Sequence, residues 1–96
     1  MADIIFEWDN DKNRINVKKH GISFSEAVTV FSDENAVLIA DTEHSAEEER
    51  FVILGISQKP RLLVVCHCYR KNDTVIRIIS ARKANKKEEI HYGGAI

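Results

Sequence analysis

Apolar positions along this chain change their spacing several times, and each change marks an element. Ile4-Ile5-Phe6-Glu7-Trp8 reads as a short strand, rich in β-branched and aromatic residues. Asp9 suits a helix N-cap, and Asp11 falls where a helix dipole is positive. The predicted helix runs to about Lys19, and Gly21 supplies a left-handed stop. Only Ile15 and Val17 make an apolar pattern within it, so it belongs on the surface.

A second helix is better specified. Ser23-Phe24-Ser25-Glu26 fits a capping box, in which the Ser23 hydroxyl and the Glu26 carboxylate each serve the other's backbone N–H. Phe24, Ala27, Val28 and Phe31 follow at i, i+3, i+4, i+7, one stripe fit to pack on a sheet. Ala36–Ala40 is a β-rich run, and Ser45 with Glu48 is spaced to cap a single helical turn in the polar segment after it. Arg50–Ser57 is almost continuously apolar, as in a strand covered on both faces. After a turn at Gln58–Pro60 come strands Leu62–Tyr69 and Val75–Ala81, joined by a reversal at Asn72-Asp73. Ala84–Tyr92 is the closing helix, ended by Gly93-Gly94. The order β-α-α-β-β-β-β-α predicts a single small α+β domain over residues 1–96. Its sheet is an antiparallel meander, with the N-terminal helices and the C-terminal helix covering one face.

Composition bounds the chemistry. A chain of 96 residues with 44% hydrophobic and 30% charged residues is globular, and can close one core. Such a core leaves no room for a large cofactor, which argues against nucleotide- or flavin-dependent chemistry. The net charge of −1 hides an asymmetry: residues 1–60 carry 6 Lys/Arg against 12 Asp/Glu, and residues 61–96 carry 8 against 3. Either the folded chain turns a basic face to an anion and another face to a second partner, or the charges mix on folding. Cys66 and Cys68, two apart in an apolar run, point to the same side of a strand and suit a reducing cytosol. The start lacks a signal-peptide pattern and no run approaches the ~20 apolar residues of a membrane helix, so the expected location is cytoplasmic, with no membrane partner.

The stretch Arg77–Tyr92, reading RIISARKANKKEEIHY, brings Arg77, Ser80 and Arg82 along a strand beside a helix with Lys83, Lys86 and Lys87 around its start. Forked guanidinium donors and mobile ammonium groups suit a phosphate-bearing partner. The plainer reading is a last core strand and a solvated helix. In a hairpin closed by Lys71 and Thr74, Arg70 opposes Val75, Cys68 opposes Arg77 and Cys66 opposes Ile79. That register makes Arg70 and Arg77 diagonal neighbours on one face and puts His67, Tyr69, Ser80 and Arg82 on the other. A guanidinium within so apolar a strand is costly unless paired or wet. Arg77 therefore either bridges an acidic group of the N-terminal half or lines a site.

None of His20, His44, His67 and His91 has metal-ligand spacing with another histidine or with the cysteines. There is no Gly-rich phosphate loop and no nucleophile elbow, so neither metal nor cofactor is expected. Lys18, Lys19 and His20 crowd one helix end. They either compensate its dipole or, for Lys19 and His20, contact phosphate and transfer protons. Trp8 and Tyr92 are candidates to stack on bases, against the commoner core or edge role of such rings.

Several blocks together resemble the BrnT family of type II toxins. They are Phe6-Glu7-Trp8-Asp9; Asn16 with Lys19-His20-Gly21-Ile22-Ser23-Phe24 and Ala27; Asp41 with His44-Ser45, Glu48 and Arg50; and Arg77-Ile78-Ile79-Ser80-Ala81-Arg82 with Glu88 and Tyr92 downstream. The blocks stand in the family's order along nearly the whole chain. The resemblance implies a RelE-like fold and an RNA-cleaving toxin that blocks translation. It also implies a BrnA-like ribbon-helix-helix antitoxin in a 2:2 heterotetramer, whose complex represses its own operon, so that operator DNA is reached only through the antitoxin. One position departs: the family tends to have Glu-Arg where this chain has Glu88-Glu89, with Lys86 and Lys87 close by to compensate.

Metal-independent RNA cleavage needs the ribose 2′-hydroxyl aligned with its phosphate, the phosphorane charge stabilised and protons moved. The expected division gives charge stabilisation to Arg50, Arg77 and Arg82, proton transfer to His20 or Lys19, and orientation of a phosphate or ribose oxygen to Ser80. Trp8, Arg70, Lys83, Lys86, Lys87 and Tyr92 are the expected RNA contacts. The rival is a non-catalytic nucleic-acid- or protein-binding module, or a degenerate toxin that keeps only antitoxin binding.

Overall fold

A computed structural model of the protein describes residues 4–41 and 48–92. Its elements are β1 (Ile5–Glu7), α1 (Asn10–His20), α2 (Phe24–Thr29) continued by a 3-10 turn (Val30–Ser32), β2 (Val37–Asp41), β3 (Arg50–Ile56), β4 (Leu62–Arg70), β5 (Val75–Lys83) and α3 (Lys86–His91). The expected order holds. The predicted turn at Ser45 and the Gly93-Gly94 stop lie outside the described residues.

The five strands form one sheet in the order β1-β5-β4-β3-β2. β2 to β5 make the predicted antiparallel meander, but β1 lies parallel to β5, so the sheet is mixed. A strand of three residues is too short to declare a neighbour by its own pattern. The meander leaves an edge of β5 open, and the chain enters it in the direction of β5, setting Ile5 beside Val75 and Glu7 beside Arg77.

α1 starts where Asp9 Oδ1 accepts from the N–H groups of Asp11 (2.8 Å) and Lys12 (3.2 Å). It stops at Gly21, whose φ of 72° would strain any residue with a Cβ. Ile15 and Val17 are exposed, as predicted. The residue α1 buries is Asn16, whose Nδ2 donates to the carbonyls of Ile22 and Ala81 at 2.8 Å each. Its Oδ1 accepts from the Ala81 N–H at 3.1 Å. One amide thus fastens a polar helix to the edge of β5 beyond the end of β1.

The main core lies between the sheet and α2, where Ile22, Phe24, Ala27 and Val30 meet Ile53, Leu63, Val65, Ile76, Ile78 and Ala81. Burying each large side chain fully contributes about 1.5–3 kcal/mol. The 3-10 turn approaches β3 closely at Gly55, where an added Cβ would lie 2.9 Å from a Val30 methyl. Ser23 caps α2 by accepting from the Glu26 N–H at 3.1 Å. The Glu26 carboxylate does not complete the predicted box. It is buried, and accepts instead from the Ser57 hydroxyl at 2.7 Å and from Arg61 Nε and Nη2 at 2.7 and 2.5 Å. The Arg61 guanidinium is the main cause holding this carboxyl below the usual range, against its own burial.

The segment after β5 returns over part of the other face of the sheet, which corrects the one-face expectation, and α3 itself buries no residue there. Tyr92 and Ala84 pack there with Leu54, Val64, Val52 and Leu62, and the Tyr92 hydroxyl donates to Asp33 Oδ2 at 2.5 Å. That hydrogen bond, aided by burial, pushes the phenol up to about 12. α3 is shorter than predicted because Asn85 and Glu88 form a complete capping box at its start. No helix among the described residues is long and apolar enough to cross a membrane.

Candidate active site

One extra residue in β5 decides which side chains share a face. β4 and β5 pair as expected through Arg70 with Val75 and Cys68 with Arg77. The register then shifts between Cys66 and His67, so that Cys66 lies opposite Ser80 and Val64 opposite Arg82. Ile79 is left over as a bulge, and a one-residue slip turns every later side chain to the opposite face. The expected pairing of Cys66 with Ile79 is thereby corrected, and with it the expected separation of Ser80 and Arg82 from Arg77. All three stand on the face away from α1 and α2.

That face gathers five candidates. A shallow pocket of about 240 Å³ is lined by Arg50, Ser80 and Arg82, with Asp41, Cys66 and Ile79. Arg70 and Arg77 continue the same face toward β1, as the register of Cys68 and Glu7 with Arg77 requires. A second hollow, of about 190 Å³, lies at the end of α1 and is lined by Lys12, Asn16, Lys19, His20, Ile79 and Ser80. Ser80 and Ile79 line both hollows, so the bulge joins the cationic end of α1 to the arginine face.

Carboxylates organise the arginines. Arg77 Nη1 donates to Glu7 Oε2 at 2.9 Å, which is the N-terminal acidic partner anticipated for it. The same Glu7 oxygen lies 4.0 Å from Arg70 Nε, and Arg70 Nη2 donates to Glu48 Oε2 at 3.1 Å. Glu48 Oε1 in turn lies 3.7 Å from Arg50 Nε. The result is a line Arg77–Glu7–Arg70–Glu48–Arg50 across the sheet. Arg82 is held separately by both oxygens of Glu88, each at 2.7 Å. This fork lowers the Glu88 carboxyl below its usual range, opposed by burial and aided by the Asn85 N–H. These ion pairs are all partly exposed, so solvent screens them and an incoming anion can compete.

The remaining expected contacts are dispersed. Lys86 and Lys87 project into solvent from α3, and Lys83 pairs with Leu63 at the end of β5. Trp8 is half-buried and meets Phe24 edge-on, with ring centres 6.2 Å apart. Tyr92 is buried on Asp33, so neither ring stands open beside the arginines. His67 belongs to the core, among Phe31, Phe51 and Tyr69, and burial lowers its pKa against the pull of the Val65 carbonyl. Burial likewise raises the Cys66 thiol, with Asp41 adding to it, which keeps that sulfur protonated near neutrality. Glu7, Glu48 and Glu88 stand in the blocks that resemble the family, but the sequence assigned none of them a bridging role at the site. The one signal for such a carboxylate was the cost of an unpaired Arg77 in an apolar strand, which called for an acidic partner from the N-terminal half.

The arrangement is that of a small α+β domain whose open sheet face presents several guanidinium groups around a hydroxyl, a surface suited to phosphate. The sequence matches, over residues 8–88, the family described as ribonuclease toxin, BrnT, of type II toxin–antitoxin systems, and the chain belongs to that family. A similar fold is found in the crystal structure of the ribonuclease toxin BrnT of Brucella abortus. The two are 20% identical and align with a TM-score of 0.63 over 90% of this chain and 100% of that one. No curated protein matches it in sequence.

Proposed function

We propose that this chain is a metal-independent endoribonuclease that inhibits translation. The carrying observation is the Ile79 bulge, which sets Ser80 and Arg82 on the face of Arg50 and Arg77, with Ser80 also beside the end of α1. An RNA phosphate seated at Ser80 meets the Arg50, Arg77 and Arg82 guanidinium groups, which stabilise charge as the ribose 2′-hydroxyl attacks. The hollow shared with Lys19 and His20 supplies proton transfer. Ser80 orients a phosphate or ribose oxygen. Arg70, Lys83, Lys86 and Lys87 hold the flanking backbone by charge. Expressed in a bacterial host, Arg77→Ala and Arg82→Ala each lower cleavage by about a hundredfold and relieve growth arrest while the fold persists by circular dichroism. Full toxicity in both would contradict the assignment.

We further propose that the protein acts in the cytoplasm with a BrnA-like ribbon-helix-helix antitoxin, in a 2:2 assembly that represses their operon. Operator DNA is contacted by the antitoxin alone. A degenerate toxin that only binds its antitoxin is the second reading. It is favoured by the carboxylates on the arginines and by exposed Glu89, where the family tends to have arginine.

A further inference from the structure

β2 closes one side of the sheet, and among the described residues β3 is its one strand neighbour. Sheet edges are commonly guarded by lysine, proline or a bulge, because their outward N–H and C=O groups invite another strand. β2 reads Val37-Leu38-Ile39-Ala40-Asp41 and pairs with β3 in unbroken register, so it has none of these guards. Leu38 and Ile39 are 52% and 49% exposed on its two sides. Next to Leu38 lies a hollow of about 440 Å³ with Phe51 and Tyr69 as apolar walls and Glu48, Glu49 and Asp73 as an acidic rim.

We infer that this edge receives a strand from a partner protein in which apolar residues alternate with lysine or arginine. The added backbone continues the sheet beyond β2, an apolar side chain enters the hollow over Leu38, Phe51 and Tyr69, and basic side chains meet Glu49 and Asp73. Main-chain hydrogen bonds supply affinity in this mode, while the hollow and its charge select the sequence. A second copy of the chain fits poorly. Antiparallel pairing of two β2 strands sets the Glu48 and Glu49 end of each copy near Asp33 and Glu34 of the other. The inference rests on the antitoxin reading for the partner's identity. It assigns that partner a surface separate from Ser80 and Arg82, since Leu38, Phe51 and Tyr69 face the helix side of the sheet.

The test uses the full chain and the purified product of the adjacent gene. Hydrogen exchange is followed with and without that product, and affinity is measured for the wild type and for a Glu49→Lys, Asp73→Lys double variant. Exchange over Val37–Asp41 is expected to slow about tenfold on complex formation. The charge reversal is expected to weaken binding about tenfold at low salt and less at high salt. A complex with unchanged exchange at β2 and full affinity in the double variant overturns this docking surface and leaves the antitoxin reading standing. No complex between two folded proteins overturns both. Protection of β2 that grows with the concentration of the chain alone assigns the edge to a second copy and overturns the inference.

Discussion

Arg82 and Glu88 are joined by two parallel hydrogen bonds of 2.7 Å, Nη1 to Oε1 and Nη2 to Oε2. Glu88 Oε1 also accepts from the Asn85 N–H at 2.9 Å, so one carboxylate both starts α3 and occupies the fork of a proposed phosphate ligand. Glutamine can still close the capping box but cannot match the ion pair. Glu88→Gln is therefore expected to bind a 2′-O-methyl RNA about three- to tenfold more tightly, read by fluorescence anisotropy. Unchanged or weaker binding would show that Glu88 orients Arg82 rather than competing with RNA.

Asn16 satisfies backbone groups of Ile22 and Ala81 in the interior. Asn16→Ala leaves those groups buried without their partner, and is expected to cost about 2–4 kcal/mol in denaturant unfolding. A loss under about 0.5 kcal/mol would mean that water replaces the amide.

Acid should weaken the fold through Glu26. Its folded pKa is lowered, chiefly by Arg61, so the pair contributes stability above the ordinary carboxylate value and loses it as pH falls through the lowered one. Glu26→Gln should be less stable than the wild type at pH 7, with the gap closing toward pH 3, as read from urea midpoints. A gap that stays constant over that range would deny the carboxylate this role.

Tyr92 contributes to the fold through its ring and its bond to Asp33. Tyr92→Phe is expected to lose about 1–2 kcal/mol of stability while cleaving RNA at the wild-type rate. The folded phenol sits at about 12, above its unfolded value near 10, so this stability is present below pH ~10 and lost as pH rises through 12. Impaired cleavage in a stable Tyr92→Phe protein would restore the ring to the RNA site.

Periodicity and capping made most elements legible: the Asp9 and Ser23 caps, the Gly21 stop, the stripe of Phe24 and Ala27, and the hairpin register as far as Cys68 with Arg77. The bulge at Ile79 was not legible, because Val75–Lys83 keeps its β character on both sides of the slip. It nonetheless decides the site, since it moves Ser80 and Arg82 to the face of Arg77. Glu26 looked like half of a local capping box, and only the fold brings Arg61 to it from the connection between β3 and β4. β1 offered too few residues to announce its parallel neighbour, and the pairing of Tyr92 with Asp33 spans most of the chain. Local chemistry was readable, and contacts between distant segments were not.

The most direct test of the account is to incubate the purified chain with a single-stranded RNA in EDTA and identify the new ends. Attack by the 2′-hydroxyl on its own phosphate, aided by the cationic groups around Ser80, predicts fragments ending in 2′,3′-cyclic phosphate. These should fall about a hundredfold with Arg82→Ala. Intact RNA from a folded, RNA-binding protein would contradict cleavage by the chain alone, and 5′-phosphate ends would contradict the proposed chemistry.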